Sequence, residues 1–292
     1  MVKCFIGDFM GCLYVVSVPI GNNKDITLNA LEVLKSVDII ACEDTRVSGL
    51  LLKEYDIKNK LVSYHKFNEN NKSDFLINEI KNGKNVALIS DAGTPCINDP
   101  GTYVIKKAID NNIEVLSCPG ASAVITALSI SGFDVKTFTF LGFIPRVGKE
   151  LNKLYDDIRE SNFELHVLYE SPKRIKTSLE SIITNLSDPF VCLCNDLTKK
   201  HQKIYRGTAS NVLKELIKNP NSEKGEYVLI IKYLNTNRGV KVDISNEGLL
   251  IDTMTRENCS LKDAINICKE KYSINKNDLY NASLKIKDMF RN

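Results

Sequence analysis

The chain has 292 residues, 43% of them hydrophobic and 26% charged, with 39 Lys and Arg against 36 Asp and Glu. That length suits about two folded domains, and the even charge balance excludes a chain that is basic throughout, leaving any nucleic-acid contact to local patches. No apolar run reaches the roughly 18 residues of a transmembrane helix, and nine cysteines without a CxxC spacing point to reduced thiols and a cytoplasmic setting.

The opening MVKCFIGDFMGC lacks a signal-peptide core because Asp8 interrupts it, and Met10 is an alternative start. Apolar runs then predict strands over Leu13–Val18, Asp38–Cys42, Leu61–Tyr64, Asn85–Ser90 and Glu114–Ser117. Between them, Thr27–Val37, Val47–Tyr55, Asp74–Asn82 and Thr102–Asn111 carry apolar residues at helical spacing. This alternation predicts a mostly parallel sheet covered on both faces. The pattern pauses near Gly132–Thr137 and a second series follows. Its strands are Thr137–Leu141, Leu165–Tyr169, Phe190–Cys194 and Glu226–Tyr233, and its helices lie near Lys149–Glu160, Lys173–Asn185 and Asn211–Lys218. The polar, Gly-containing Asn235–Lys241 reads as a linker. Beyond it only helical patterns remain: Asn246–Met254, Ser260–Lys271, with a capping-box-like Ser260 and Asp263, and Asn275–Met289. The expected fold class is α/β: two α/β domains with mostly parallel sheets, spanning 12–125 and 126–236, and a helix-turn-helix-like extension over 237–292. Periodicity leaves open whether that extension is its own bundle or a tail packed on the body.

Four polar, turn-forming stretches follow strands of the first series: VPIGN (Val18–Asn22), CEDTR (Cys42–Arg46), SDAGTPCINDPG (Ser90–Gly101) and PGASA (Pro119–Ala123). One alone is turn chemistry. Four on the same edge of one parallel sheet are better explained by a ligand crevice, since open α/β sheets bind ligands outside the carboxyl ends of their strands. Asp91 can accept hydrogen bonds from ribose hydroxyls or an ammonium, and the small residues at 93, 121 and 123 let backbone approach a flat ring. GFIPRVGKE (Gly142–Glu150) mimics a P-loop but has one residue too many between its glycines and Glu150 where Ser or Thr is needed. The histidines at 65, 166 and 201 and the cysteines show no metal-ligand spacing. Cys192 and Cys194 share one face of a strand as small buried hydrophobes.

VPIGN, EDTR, SDAGTPCINDPG, PGASAVITALSISGF, LGFIPR, YESPKR, LTKKH, RGT and KGEYVLII, in this order, resemble the tetrapyrrole-methylase superfamily. Within it they resemble the bacterial branch of 16S rRNA cytidine 2′-O-methyltransferases, which act at position 1402 of that RNA. The resemblance runs from about residue 12 to 235 and extends to the C-terminal helices. It implies S-adenosylmethionine bound folded between the two α/β domains. Pro19, Gly21, Ser90, Asp91, Ala92, Gly93, Ser122 and Ala123 would line it from the first domain, and Tyr169 and Gly207 from the second. It further implies a cytoplasmic homodimer acting on 16S rRNA in the small ribosomal subunit, with no DNA or membrane partner. The chain departs from the family pattern where YHEHNE reads YHKFNE, at Lys66 and Phe67, and where RELTKxHE reads NDLTKKHQ, at Asn195 and Gln202.

Methyl transfer to a ribose hydroxyl needs alignment above all and is helped by a base. Candidate catalytic residues are Glu43 and Asp44 at a strand end, Arg46 beside them, and Glu170; His65 reads as a hydrogen-bonded histidine at a strand terminus. Lys199, Lys200, Lys203 and Arg206 fall in a short segment without an acid, and Lys173, Arg174 and Lys176 form a second cluster. Both are candidate RNA contacts. Two competing functions are a small-molecule, tetrapyrrole-like methylase, against which the missing GxGPGD-like first loop counts, and an RNA-binding module of the same fold without catalysis.

Overall fold

The computed structural model describes residues 10–233, 245–272 and 274–289. The opening segment before Met10 and the expected linker Asn235–Lys241 lie outside them. The chain forms two compact units, residues 1–234 and 235–292.

The first unit begins with β1 (Leu13–Val16), α1 (Leu28–Ser36), β2 (Ile39–Cys42), α2 (Thr45–Glu54) and β3 (Lys60–Ser63). It continues with α3 (Glu69–Lys81), β4 (Val86–Ile89), α4 (Thr102–Asp110), β5 (Val115–Cys118) and α5 (Ala123–Ile130). The five strands form one parallel sheet in the order β3-β2-β4-β1-β5. The central strands β2 and β4 are buried on both faces, which is why they read as unbroken apolar runs rather than alternating ones. Ile39 and Ala41 face the core shared with Leu76, Ile80 and Val104 of α3 and α4. Ile40 and Cys42 face the opposite core, with Leu34 and Leu52 of α1 and α2. Thr27 caps α1 by accepting the Ala30 N–H at 3.1 Å.

The second sheet comprises β6 (Thr139–Phe143), β7 (Leu165–Glu170), β8 (Phe190–Asn195), β9 (Lys203–Thr208) and β10 (Tyr227–Lys232). Between these run α6 (Lys149–Glu160), α7 (Ile175–Leu186) and α8 (Ala209–Ile217). The order is β6-β7-β10-β8-β9, and only the β6–β7 pair is parallel. This sheet is therefore mixed rather than mostly parallel. The antiparallel strands are β10, in the sheet's interior, and β9, whose charges read as a basic cluster in the sequence. β9 pairs antiparallel with β8 at the sheet edge, where Lys and Arg protect against further strand pairing. One face is covered by α6, α7 and α8 through Tyr155, Leu179 and Val212. The other face packs against Val124, Ala127 and Leu128 of α5 and against Ile20 of the first loop. The junction expected at residues 125–126 thus falls inside α5, a helix that leaves the first sheet and buries itself on the second. Cys192 and Cys194 are buried there with their sulfurs 3.8 Å apart.

The second unit is a three-helix bundle of α9 (Asn246–Glu257), α10 (Leu261–Tyr272) and α11 (Lys276–Met289). It has its own core of Leu250, Ala264, Cys268, Leu279, Ala282 and Ile286. Ser260 accepts the Asp263 N–H at 3.2 Å and its hydroxyl lies 2.6 Å from the Asp263 carboxylate, as the capping pattern predicts. Asn258, in the left-handed region at φ 45°, ends α9.

Candidate functional site

The loops after β1, β2, β4 and β5 meet at the carboxyl edge of the first sheet. Val18 and Gly93 exchange two backbone hydrogen bonds, at 2.9 and 3.1 Å, joining the first loop to SDAGTP. Gly93 stands at φ 78°, and a Cβ there would press within 3.3 Å of the Ile20 side chain. Ser17 Oγ lies 3.0 Å from Thr94 Oγ1, which donates to the Ala121 carbonyl at 3.0 Å and so ties in the fifth-strand loop. Ser90 is buried beneath, its hydroxyl directed to the carbonyls of Ala92 and Gly93. From the other domain, Thr198 Oγ1 accepts the Asn22 N–H at 3.0 Å, and a Cβ on Gly21 would collide with Leu197 O and the Thr198 hydroxyl.

These contacts enclose a cavity of about 400 Å³ between the two α/β domains, a size typical of a small-molecule site. Asp91, Ala92, Gly93, Ser122, Ala123 and Tyr169 line it. Pro19 and Gly21 flank Ile20, which lines it, and Ser90 directly precedes the lining residue Asp91. Gly207 is elsewhere, paired with Val191 on the edge strand β9 and absent from the lining. Tyr169 packs edge-on against Phe140 and Phe143, with centroids 5.0 and 5.5 Å apart. Phe143, Leu197 and Val228 add apolar wall.

Asp91 and Asp99 of the lining stand close to Glu43, which lies outside it. Asp99 is pushed up to about 6 by burial, with Glu43 and Asp91 adding repulsion. Burial also raises Glu43, reinforced by Asp91 and only partly offset by the nearby His65. Asp91 is raised by burial although its Oδ1 accepts the Asp44 N–H at 3.0 Å. Burial, then Asp99, pushes the Tyr169 hydroxyl up to about 12. A lining that strains to keep its negative charge stabilises any positively charged ligand that relieves it. With flat apolar walls and small residues beside them, the cavity fits a cation that carries a ring.

Asp99 lines the cavity but escaped the reading of the sequence, where it looked like one more turn former. The loop reaches back because Cys96 and Asn98 take left-handed backbone at φ 71° and 69°, strain that clusters at functional sites. Gly225, Glu226 and Tyr227 also line the cavity from the start of β10. Their only signal was the KGEYV stretch itself.

Several other candidates are committed to structure. Asp44 caps α2, and its carboxylate holds the Arg46 backbone N–H at 2.8 Å and guanidinium at 2.6 Å. These bonds depress Asp44 to about 2, so it is a poor base near neutrality. Arg46, paired with it, otherwise faces solvent. Glu170 lines the cavity, yet its side chain is fully buried and bonded to Ser178 Oγ at 2.5 Å, Arg174 at 3.0 Å and the Ser171 N–H at 2.6 Å. Arg174 also donates to the carbonyls of Ile144 and Pro145, which makes it a loop anchor. Lys199 bridges Asp196 and Glu226 at 2.8 and 2.9 Å. Lys203 donates to Asn219, and Arg206 to the carbonyls closing α5. Of the basic candidates, Lys173 and Lys200 are the exposed ones not engaged in these bonds.

The model of the "Tetrapyrrole (Corrin/Porphyrin) Methylases" matches residues 12–213. The chain belongs to this family. A "Ribosomal RNA small subunit methyltransferase I" of Buchnera aphidicola is 40% identical over 281 residues, covering 95% of this chain and 97% of that protein. Proteins of the same name from Haemophilus influenzae and Escherichia coli O157:H7 are 40% and 37% identical, each over 94% or more of this chain, and are themselves covered to 98% and 95%. The protein is accordingly a methyltransferase. Among solved structures, a diphthine synthase superposes with a TM-score of 0.60 at 16% identity, covering 76% of this chain and 89% of that one. A uroporphyrin-III-C-methyltransferase from Thermus thermophilus gives 0.54 at 16% identity, covering 76% and 94%. Both share the two-domain fold.

Proposed function

We propose that this methyltransferase transfers a methyl group from S-adenosylmethionine to the ribose 2′-oxygen of a cytidine in 16S rRNA, at the position numbered 1402. The observation that carries the reading is the end-to-end likeness to small-subunit rRNA methyltransferases, which continues past the methylase fold into the three-helix unit. When bound, the cofactor supplies a methyl group already activated on a sulfonium. The remaining work belongs to the chain. Asp91 and Asp99 provide the negative lining that a sulfonium and an ammonium require, with Glu43 adding its charge from behind Asp99. Gly93, Ser122 and Ala123 leave room for a ring, and Tyr169 and Phe143 exclude water beside it. Alignment of acceptor and donor by this walled cavity supplies the larger part of the acceleration.

The acceptor hydroxyl must lose a proton, and Asp99 is the group we assign to take it. It lines the cavity, and burial pushes it up to about 6, where a base is both ionised and basic enough to work near neutrality. The proposal places the enzyme in the cytoplasm as a homodimer, with the small ribosomal subunit as its partner and the three-helix unit contributing to docking. Purified small subunits lacking the modification should accept labelled methyl from S-adenosylmethionine, and tetrapyrrole precursors should not. Methylation of a precursor with none of RNA would replace this reading with the small-molecule one, and cofactor binding without any transfer would leave a binding module.

A further inference from the structure

Phe67 is 95% exposed, the most exposed large hydrophobic side chain among the described residues. It is not on a loose loop. His65 to Asn68 form a turn closed by the Asn68 N–H on the His65 carbonyl at 2.9 Å. The Asn68 side chain locks it, accepting the His65 N–H at 2.9 Å and donating to the Ser63 carbonyl at 3.1 Å. The His65 ring sits edge-on to Phe67, with centroids 6.1 Å apart. The turn is fastened to both acidic loops of the site. Tyr64 N–H reaches the Cys42 carbonyl at 2.8 Å, directly before Glu43. Glu69 accepts the Gly101 N–H at 3.0 Å, two residues after Asp99. A rigid turn thus holds a bare aromatic ring on the same edge of the sheet as the cavity.

The neighbouring charges say what the ring is for. The cavity edge is anionic, which suits a cationic cofactor and repels phosphates. An RNA strand approaching it needs a hold that is not a phosphate contact at that point. An exposed aromatic face supplies one, because unpaired bases stack on such rings. A protein interface centres on several buried apolar groups, whereas the chain around Phe67 offers Lys66, Asn70 and Asn71, all exposed and polar. We propose that Phe67 is a stacking platform for a nucleobase of the substrate RNA beside the target nucleotide, with Lys66 available to the adjoining phosphate. This inference rests on the RNA reading above and adds a positioning residue to it.

The test compares Phe67→Ala, Phe67→Tyr and Phe67→Leu on small subunits lacking the modification. Phe67→Ala should raise KM for the subunits about 5- to 150-fold, the range expected for one lost stacking contact. Its kcat and its affinity for S-adenosylmethionine should stay near those of the parent. Tyr should restore KM and Leu should not, since only an aromatic face stacks. An unchanged KM for Phe67→Ala, or rescue by Leu as complete as by Tyr, would overturn the inference. So would a change in sedimentation of the alanine variant, which would make the ring a protein contact. If the parent protein itself fails to methylate subunits, the RNA reading falls and takes this inference with it. An active parent with an indifferent Phe67 overturns the inference alone.

Discussion

Replacing Asp99 with Asn should stabilise the cofactor-free protein at alkaline pH while impairing its reaction. Asp99 is pushed from 3.8 to about 6 by burial and by Glu43 and Asp91. A carboxyl raised by about two pKa units carries about 3 kcal/mol of unfavourable charge burial when ionised. Because it is only half-buried, solvent screening reduces this to about 1–1.5 kcal/mol. The folded pKa exceeds the unfolded one, so the folded state binds the proton more tightly and stability falls as pH rises between about 4 and about 6. Above that window the full cost is present, and below it there is none. Asp99→Asn should therefore gain about 1–1.5 kcal/mol at pH 8 and almost nothing at pH 3.5, read by urea unfolding at both values. The parent's rate should fall below about pH 6, and the same variant should bind S-adenosylmethionine more weakly and lose that pH dependence. No gain at pH 8, or an equal gain at both pH values, would mean that the charge of Asp99 is not strained in the folded protein.

Asp44→Asn should leave the pH dependence of the rate unchanged, because Arg46 already holds Asp44 at about 2 and Asn still caps α2; a lost inflection near pH 6 would return the base to Asp44. Glu170→Ala should destabilise the fold by about 3–5 kcal/mol by leaving Arg174 without its buried partner. Glu170→Gln should retain most methyl transfer per folded molecule, and a loss of rate with stability intact would make Glu170 catalytic. A chain ending at residue 234, the close of the first unit, should keep cofactor affinity measured by calorimetry but lose methylation of small subunits; full activity would confine the three-helix unit to another role.

The cavity loops were legible because turn formers at four strand ends are unusual, and six of the ten expected cofactor residues line the cavity directly. What stayed hidden has physical causes. The helix α5, AVITALSI, buries Val124, Ala127 and Leu128 on the second sheet yet leaves the equally apolar Ile125 exposed, so its sequence shows no clean helical stripe. Strand β9, KIYRGT, carries the charges of an edge and hides its strand character. The antiparallel pairing of β8 and β10 was invisible because apolar runs do not encode direction. Asp99 enters the site through two left-handed residues, Cys96 and Asn98, whose conformation no composition announces. Conversely, Glu170, Arg174, Lys199 and Arg206 looked functional as isolated charges, and the fold supplies each with partners.

The central claim is that a ribose oxygen of small-subunit RNA receives the methyl group, and the position of the label tests it most directly. Alkaline cleavage of RNA uses the 2′-hydroxyl as its internal nucleophile, so methylation there protects the adjacent bond. Small subunits lacking the modification, incubated with this protein and methyl-labelled S-adenosylmethionine, should yield the label in an alkali-resistant dinucleotide that begins with cytidine. Label released in a mononucleotide would place the methyl group on a base and contradict the account.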